Sequence, residues 1–390
     1  MAFQGLRNLL RRSPAGSGLL AKNPDLYVPG NEVRLLEDGE ATFQAMLAAI
    51  EGARQSVNLE TYAFQGGKVG HDFASRLMAK ARQGIPVRVI LDAVGSLHTS
   101  PFFLGRMADA GVQVLDYHPV APWRRRWAWG RRDHRKILVV DGKTAFTGGV
   151  NISDEHLPLS RGGEGWRDCH VKVDGPAAFE LERVFRMTWF KETRAWFHSP
   201  GHPEHKPGSA RVWIAANQEF INRFRIRSSY LHVLRAAQRE VTIANAYFIP
   251  DLGIRRALAA AVRRGVSVRI LVPGRSDVPA VWYASRRRYD LLLRRGIRIF
   301  EWKGPMLHSK AVVVDRRWCS VGSYNLDHRS LLHNLEVNLH AADPVLAGDL
   351  AARLDSDIAL SAEITLDSWR ERPLTDKAVE RALYLFRYFF

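Results

Sequence analysis

The chain has 390 residues, 46% hydrophobic and 25% charged, with a formal net charge of +17. That balance excludes a disordered or low-complexity chain and leaves room for two domains or one large duplicated one. A surface this basic attracts polyanions, either nucleic acid or the anionic face of a membrane, and composition alone does not choose between them.

The first segment, MAFQGLRNLLRRSP, places Phe3, Leu6, Leu9 and Leu10 at helical spacing with Arg7, Arg11 and Arg12 between them. It fits a helix lying in a membrane interface and fits equally a frayed basic tail, because so short a helix is marginal alone. No signal-peptide run is expected, and no stretch approaches the roughly 20 apolar residues that span a bilayer. The expected organisation is a basic segment over 1–30, a first domain over 31–200, a second over 210–361 and a C-terminal tail over 362–390.

Four junctions then share one form, a helical stretch closed by glycine and followed by a β-branched run: RQGIPVRVIL at Gly84, ADAGVQVLDY at Gly111, RRGVSVRILV at Gly265 and RRGIRIFEW at Gly296. Glycine suits the left-handed residue that closes a helix, and the apolar runs suit strands covered on both faces. The order is duplicated, since SVNLETYAF at Ser56 corresponds to EVTIANAYF at Glu240, each followed by two such junctions. The fold class expected is therefore α/β: two equivalent domains with mixed, mostly parallel sheets flanked by helices, related by a pseudo-twofold axis with the active site between the halves. Their boundary falls within 197–210, where Pro, Gly and His cluster. Cys169 and Cys319, each in an expected strand, read as reduced structural thiols.

The duplication carries chemistry. DHRKILVVD at Asp133 recurs as HSKAVVVD at His308, and the pattern H-x-K-x4-D-x6-G-G/S-x-N stands twice, with His134 and His308 separated by 174 residues. On a strand, residues i and i+2 share a face, so His134 projects with Lys136 and His308 with Lys310. Facing each other, the halves make a pocket of two imidazoles and two ammonium groups, with Asn151, Asn325 and Ser323 as further contacts to a substrate. Such a pocket suits a phosphodiester, because lysines meet phosphoryl oxygens, one neutral imidazole can attack phosphorus and a protonated one can serve the leaving alkoxide. No cluster of Cys, His or carboxylates stands at metal spacing, so neither a metal nor another cofactor is expected. Asp141 precedes Gly142 in a hairpin-turn signature, which favours a structural role for it. Asp168 and Glu336, each on a later strand of its own half, read either as the carboxylates that orient the histidines or as strand-edge charges.

At these residues the chain resembles the phospholipase D superfamily, whose HKD signature it matches in both halves, with Gly149 where serine is commoner. Within that superfamily, HRKILVVDGKTAFTGGVNISDEH and VGSYNLDHRSLLHNLEVN resemble the bacterial cardiolipin synthases, in the form without N-terminal transmembrane helices, over roughly residues 32–360. The resemblance implies a catalytic set of His134, Lys136, Asp141, His308, Lys310 and Asp315. It also implies a phosphohistidine intermediate and transfer of a phosphatidyl group between two phosphatidylglycerols with release of glycerol. By the same analogy His134 is the nucleophile and His308 the acid and then base, although the symmetry leaves the reverse open. A hydrolytic phosphodiesterase acting on phospholipid or nucleic acid is the alternative.

Just before the first motif, APWRRRWAWGRR mixes Trp123, Trp127 and Trp129 with arginines, a composition of lipid-headgroup segments that also suits single-stranded nucleic acid. The C-terminal ALYLFRYFF adds aromatics that fit a membrane or packing on the core. The resemblance favours an anionic phospholipid over nucleic acid as partner and a peripheral place on the cytoplasmic face of the cell membrane. Oligomeric state is not indicated.

Overall fold

In a computed structural model the protein is described over residues 24–123, 128, 130–200, 206–217 and 222–389. The expected N-terminal amphipathic helix, Arg124 to Trp127, Trp129 and part of the interdomain stretch lie outside the described residues.

The first half supplies β1 (Val28–Leu36), β2 (Val57–Thr61), β3 (Val87–Asp92), β4 (Gln113–Tyr117), β5 (Ile137–Val140), β6 (Thr144–Gly148) and β7 (His170–Asp174). The second supplies β8 (Ala210–Ala216), β9 (Glu240–Asn245), β10 (Ser267–Pro273), β11 (Arg298–Trp302), β12 (Lys310–Val314), β13 (Trp318–Gly322), β14 (Val337–Ala342) and β15 (Ser361–Ile364). Among the described residues these strands form one 15-stranded sheet in the order β15-β11-β10-β9-β12-β13-β14-β8-β1-β7-β6-β5-β2-β3-β4. Read outward from the antiparallel β1–β8 pair, where Asn31 faces Ala210, the two halves repeat the same order. The sheet is continuous through the pseudo-twofold axis.

The expectation of mostly parallel sheets is corrected. Only β2-β3-β4 and β9-β10-β11 run parallel, and the remaining pairs are antiparallel. Strands joined through a helix can run parallel, as the glycine junctions foretold, and Gly84, Gly111, Gly265 and Gly296 all sit at positive φ between 76° and 94°. The motif strands instead turn back at once: Lys143 N donates to Val140 O at 3.1 Å and Arg317 N to Val314 O at 3.1 Å, closing tight hairpins with β6 and β13. Each hairpin needs left-handed residues at its tip, and Asp141 (φ 55°), Gly142 (φ 63°), Asp315 (φ 54°) and Arg316 (φ 52°) adopt them.

One apolar core is shared by the halves. The helices Pro176–Thr193 and Pro344–Ala359 lie between the two wings, so Leu181 and Val171 of the first half belong to the same cluster as Val313, Leu339 and Leu350 of the second. Outer clusters around Phe73 and Tyr230 fill the far faces of each wing. Both cysteines are free and buried, Cys319 within β13 and Cys169 just before β7. No helix among the described residues is long and apolar enough to cross a membrane.

Candidate active site

The histidines do not stand within regular strands. His134 and Lys136 occupy the extended segment before β5, and His308 precedes β12, which opens at Lys310. What fixes these segments is the opposite half: His134 N donates to Leu335 O at 3.0 Å and His308 N to Arg167 O at 2.8 Å, within the parallel bridges Asp133–Leu335 and Arg167–Leu307. Arg135, buried beside them, donates to Glu336 O at 3.3 Å and to Thr188 Oγ1 at 2.9 Å and locks the first segment across the interface.

The same crossing governs the carboxylates. His134 Nδ1 lies 3.1 Å from Glu336 Oε2, and His308 Nδ1 lies 2.7 Å from Asp168 Oδ2. Asp168 and Glu336 each pair with a histidine, but with that of the other half, which corrects the expectation of pairing within a half. With Nδ1–H given to a carboxylate, each imidazole keeps Nε2 for a substrate.

Both imidazoles line one cavity of about 440 Å³ together with Asn151 and Asn325, whose amide oxygens have no hydrogen bond among the described residues. The lysines are buried and do not line it. Lys136 Nζ donates to His134 O at 2.8 Å and lies 5.2 Å from the Tyr62 ring centroid, and Lys310 Nζ donates to His308 O. Burial and then the neighbouring Lys310 charge lower Lys136 to about 7, and burial lowers Lys310 to about 8. His134 is lowered to about 4, first by burial and then by Lys136. Burial opposes ionisation of Asp168, but the charges of His308 and Lys310 outweigh it and hold the group well below the usual carboxylate range.

Three expected site residues stand elsewhere. Asp141 accepts from the backbone N–H groups of Arg54, Gln55 and Ser56 at 2.7–3.2 Å, and Asp315 from those of Gln238, Arg239 and Glu240 at 2.8–3.0 Å. They staple the turns that lead into β2 and β9, so the catalytic reading of these aspartates is corrected to the structural one. Ser323 is fully buried and gives its hydroxyl to Glu336 rather than to the cavity, which corrects its assignment as a substrate contact. Glu336 also accepts from Ser330 Oγ at 2.7 Å and Asn334 Nδ2 at 3.2 Å. The glycine at 149 now has a reason: a Cβ there would stand 2.2 Å from Asp168 Oδ1, so no serine fits beside the shorter carboxylate.

Other residues enter that the motif did not reveal. The Tyr62 ring packs edge-on against His134 at 5.0 Å, and Trp166 lies 5.2 Å from His308. Tyr62 follows β2 directly, where the repeat has Ala246. His156, at the position equivalent to Ser330, accepts from Asn151 N at 3.2 Å, and its Nδ1 is buried without a partner among the described residues. One ligating atom each from His156, Asp168 and His308 lie within 4.8 Å of one another, a set capable of holding a divalent cation that only the docking of the halves assembles. The charges of Lys136 and Lys310 oppose a dication there and favour an anion. Of the C-terminal segment, the helix Leu374–Tyr384 packs on the helix Pro279–Arg286, and Phe389 reaches the cavity wall.

Two imidazoles on opposed carboxylates, backed by paired lysines in a duplicated α/β sheet, define a phosphodiester-handling enzyme of the phospholipase D fold. The chain belongs to the family described as "Cardiolipin synthase, PLD-like domain", whose profile matches residues 46–189 and 230–358. It is similar to cardiolipin synthase 2 of Bacillus anthracis, at 34% identity over 90% of this chain and 69% of that protein. Cardiolipin synthase B of Escherichia coli (strain K12) is 36% identical over 86% of this chain and 82% of its own. The crystal structure of phosphatidylserine synthase from Haemophilus influenzae Rd KW20 superposes with a TM-score of 0.69 at 14% identity, covering 97% of this chain and all of that one, which establishes a shared fold.

Proposed function

We infer that the protein is a cardiolipin synthase, a phosphatidyltransferase that joins two phosphatidylglycerols into cardiolipin and releases glycerol. The observation that carries the reading is the pair of histidines, each with Nδ1 on a buried carboxylate and Nε2 left for the cavity. His134 Nε2 attacks phosphorus, the P–O bond to the first glycerol breaks, and His308 gives that oxygen its proton. The glycerol hydroxyl of a second lipid then attacks, its proton passes to His308, and the N–P bond breaks. Lys136 and Lys310 offset the charge that grows on the phosphoryl oxygens. An anionic substrate raises the affinity of both imidazoles for a proton, which supports His308 as an acid despite its burial.

Action on bilayer lipids implies peripheral attachment at the cytoplasmic face. The net charge of +17 and the exposed Phe389 on the cavity wall support it. Incubation with phosphatidylglycerol vesicles tests the reading: cardiolipin and glycerol should appear in equal amounts. Phosphatidic acid in place of cardiolipin would make the protein a hydrolase, and cleavage of nucleic acid without lipid turnover would overturn the substrate class.

A further inference from the structure

A cavity built for a phosphodiester should not waste attraction on a carboxylate, yet carboxylates line this one. Most are accounted for. Asp327 caps its helix by accepting from Ser330 N at 2.7 Å, and Glu155 is held by Gln65 Nε2 at 3.2 Å and Ser153 Oγ at 2.7 Å. Asp277 is different. It is exposed on the cavity wall, accepts from no backbone N–H and pairs with no cation among the described residues. Its partners are Tyr247 Oη, 2.8 Å from each carboxylate oxygen, and Ser276 Oγ at 3.1 Å. A carboxylate offers about four acceptor positions. Two hydroxyl donors leave acceptor capacity facing the cavity.

Its location is one-sided. In the first half, Asp92 ends β3 buried and spends its carboxylate on the N–H groups of Val94 and Gly95. Pro273 stands at that place at the end of β10, and the acid appears four residues later as Asp277 on the loop that follows. Tyr247, which anchors it, lies 6.5 Å from the His308 ring, and the Asp277 charge acts on both His308 and Lys310. The acid therefore stands on the side of the histidine assigned to handle the glycerol oxygen in both steps.

We propose that Asp277, oriented by Tyr247, is the subsite for the hydroxyl groups of a polyol headgroup and selects glycerol-bearing lipids over simple alcohols as partners in the exchange. The proposal rests on the transferase reading above. A ligand that brings one phosphoryl anion to the histidines, attracted by the lysine charges buried behind them, and free hydroxyls to a carboxylate suits this cavity. An ammonium headgroup presents the same hydrogen-bond donors with a charge added, and the test separates the two.

Full-length protein is given phosphatidylglycerol vesicles with labelled glycerol, ethanol and ethanolamine in competition, and the phosphatidyl products are counted. All three partition from one phosphatidyl-enzyme, so the ratios do not depend on how much protein is folded. Asp277→Ala should lower the glycerol-to-ethanol ratio about tenfold, the scale on which a lost polar contact discriminates between substrates. Asp277→Asn, which keeps an acceptor oxygen, should fall between, and Tyr247→Phe should shift the ratio in the same direction by less. A ratio unchanged in an active transferase overturns the role of Asp277 alone, as does a uniform loss of all three products. Loss confined to ethanolamine, equal in the Asn and Ala variants, would make it an ammonium site and overturn polyol selection. Wild-type protein that yields only phosphatidic acid would overturn the transferase reading, and this proposal with it.

Discussion

His308 and Asp168 meet at 2.7 Å although they belong to opposite halves of a duplicated chain. The crossing makes the carboxylates report on steps, not on halves. Asp168→Asn should impair what His308 does, and Glu336→Gln what His134 does, each lowering kcat by about 10² to 10⁴. Circular dichroism should show both variants folded. Trapping experiments with a substrate whose leaving group needs little protonation then tell them apart: Asp168→Asn should build up a phosphatidyl adduct on His134, and Glu336→Gln should not. The reverse pattern would mean that function follows pairing within each half.

The histidines themselves should differ in kind. His134→Ala removes the nucleophile, so no adduct should form, whereas His308→Ala keeps it and loses the acid and base. With a substrate whose leaving group needs little protonation, His308→Ala should accumulate an acid-labile phosphohistidine, visible by intact-protein mass spectrometry after alkaline quench. An adduct on His308 in the His134→Ala protein would exchange the roles.

The buried lysines set a pH dependence with opposite signs for activity and stability. Lys136 and Lys310 are charged below about 7 and about 8 and lose their protons as pH rises through those values. In the free enzyme kcat/KM should therefore fall across that window, and kcat should fall at higher pH because a bound anion holds the protons on. An unfolded lysine titrates near 10.5, so the unfolded chain binds more protons from about 7 to 10.5 and stability should rise with pH there. Rate profiles with thermal melts at roughly pH 6 and pH 9 check both signs; a melting temperature that drops on going to the higher pH, in the absence of aggregation, would contradict the burial of these charges.

Asp141 should matter to the fold and not to the chemistry. Asp141→Ala strips the acceptor from three backbone N–H groups and should cost about 1–3 kcal/mol in denaturant unfolding. The kcat of the folded fraction should be unchanged. A dead but fully stable variant would return the residue to the catalytic set.

Chelation should leave transfer intact once vesicle aggregation is controlled, because Lys136 and Lys310 supply the positive charge. Activity lost to a chelator and restored by one particular metal would make His156, Asp168 and His308 a working cation site.

The sequence revealed whatever depends on near neighbours. The Asp-Gly turn at 141 and the glycine junctions are local, and each stands where the pattern placed it, whereas His134, Lys136 and His308 precede the strands that the pattern assigned to them. The partner of His134 was not local: Glu336 is 202 positions away, and no spacing rule says which wing will present it. Parallel pairing was over-assigned for a related reason, since helix-strand alternation speaks for β2 to β4 and says nothing of the hairpin at Asp141. His156 escaped because the repeat aligns it with a serine, Ser330, and chemistry that breaks the symmetry cannot be found by looking for the symmetry.

The shared core and the exchanged carboxylates make each half depend on the other. One copy alone would carry a histidine without its acid, so a lone half would need a second half docked on it to complete either pair, and a single chain holds the two together at any concentration. The copies are not equivalent: Ser323 and Ser330 stand around Glu336, and Gly149 and His156 around Asp168.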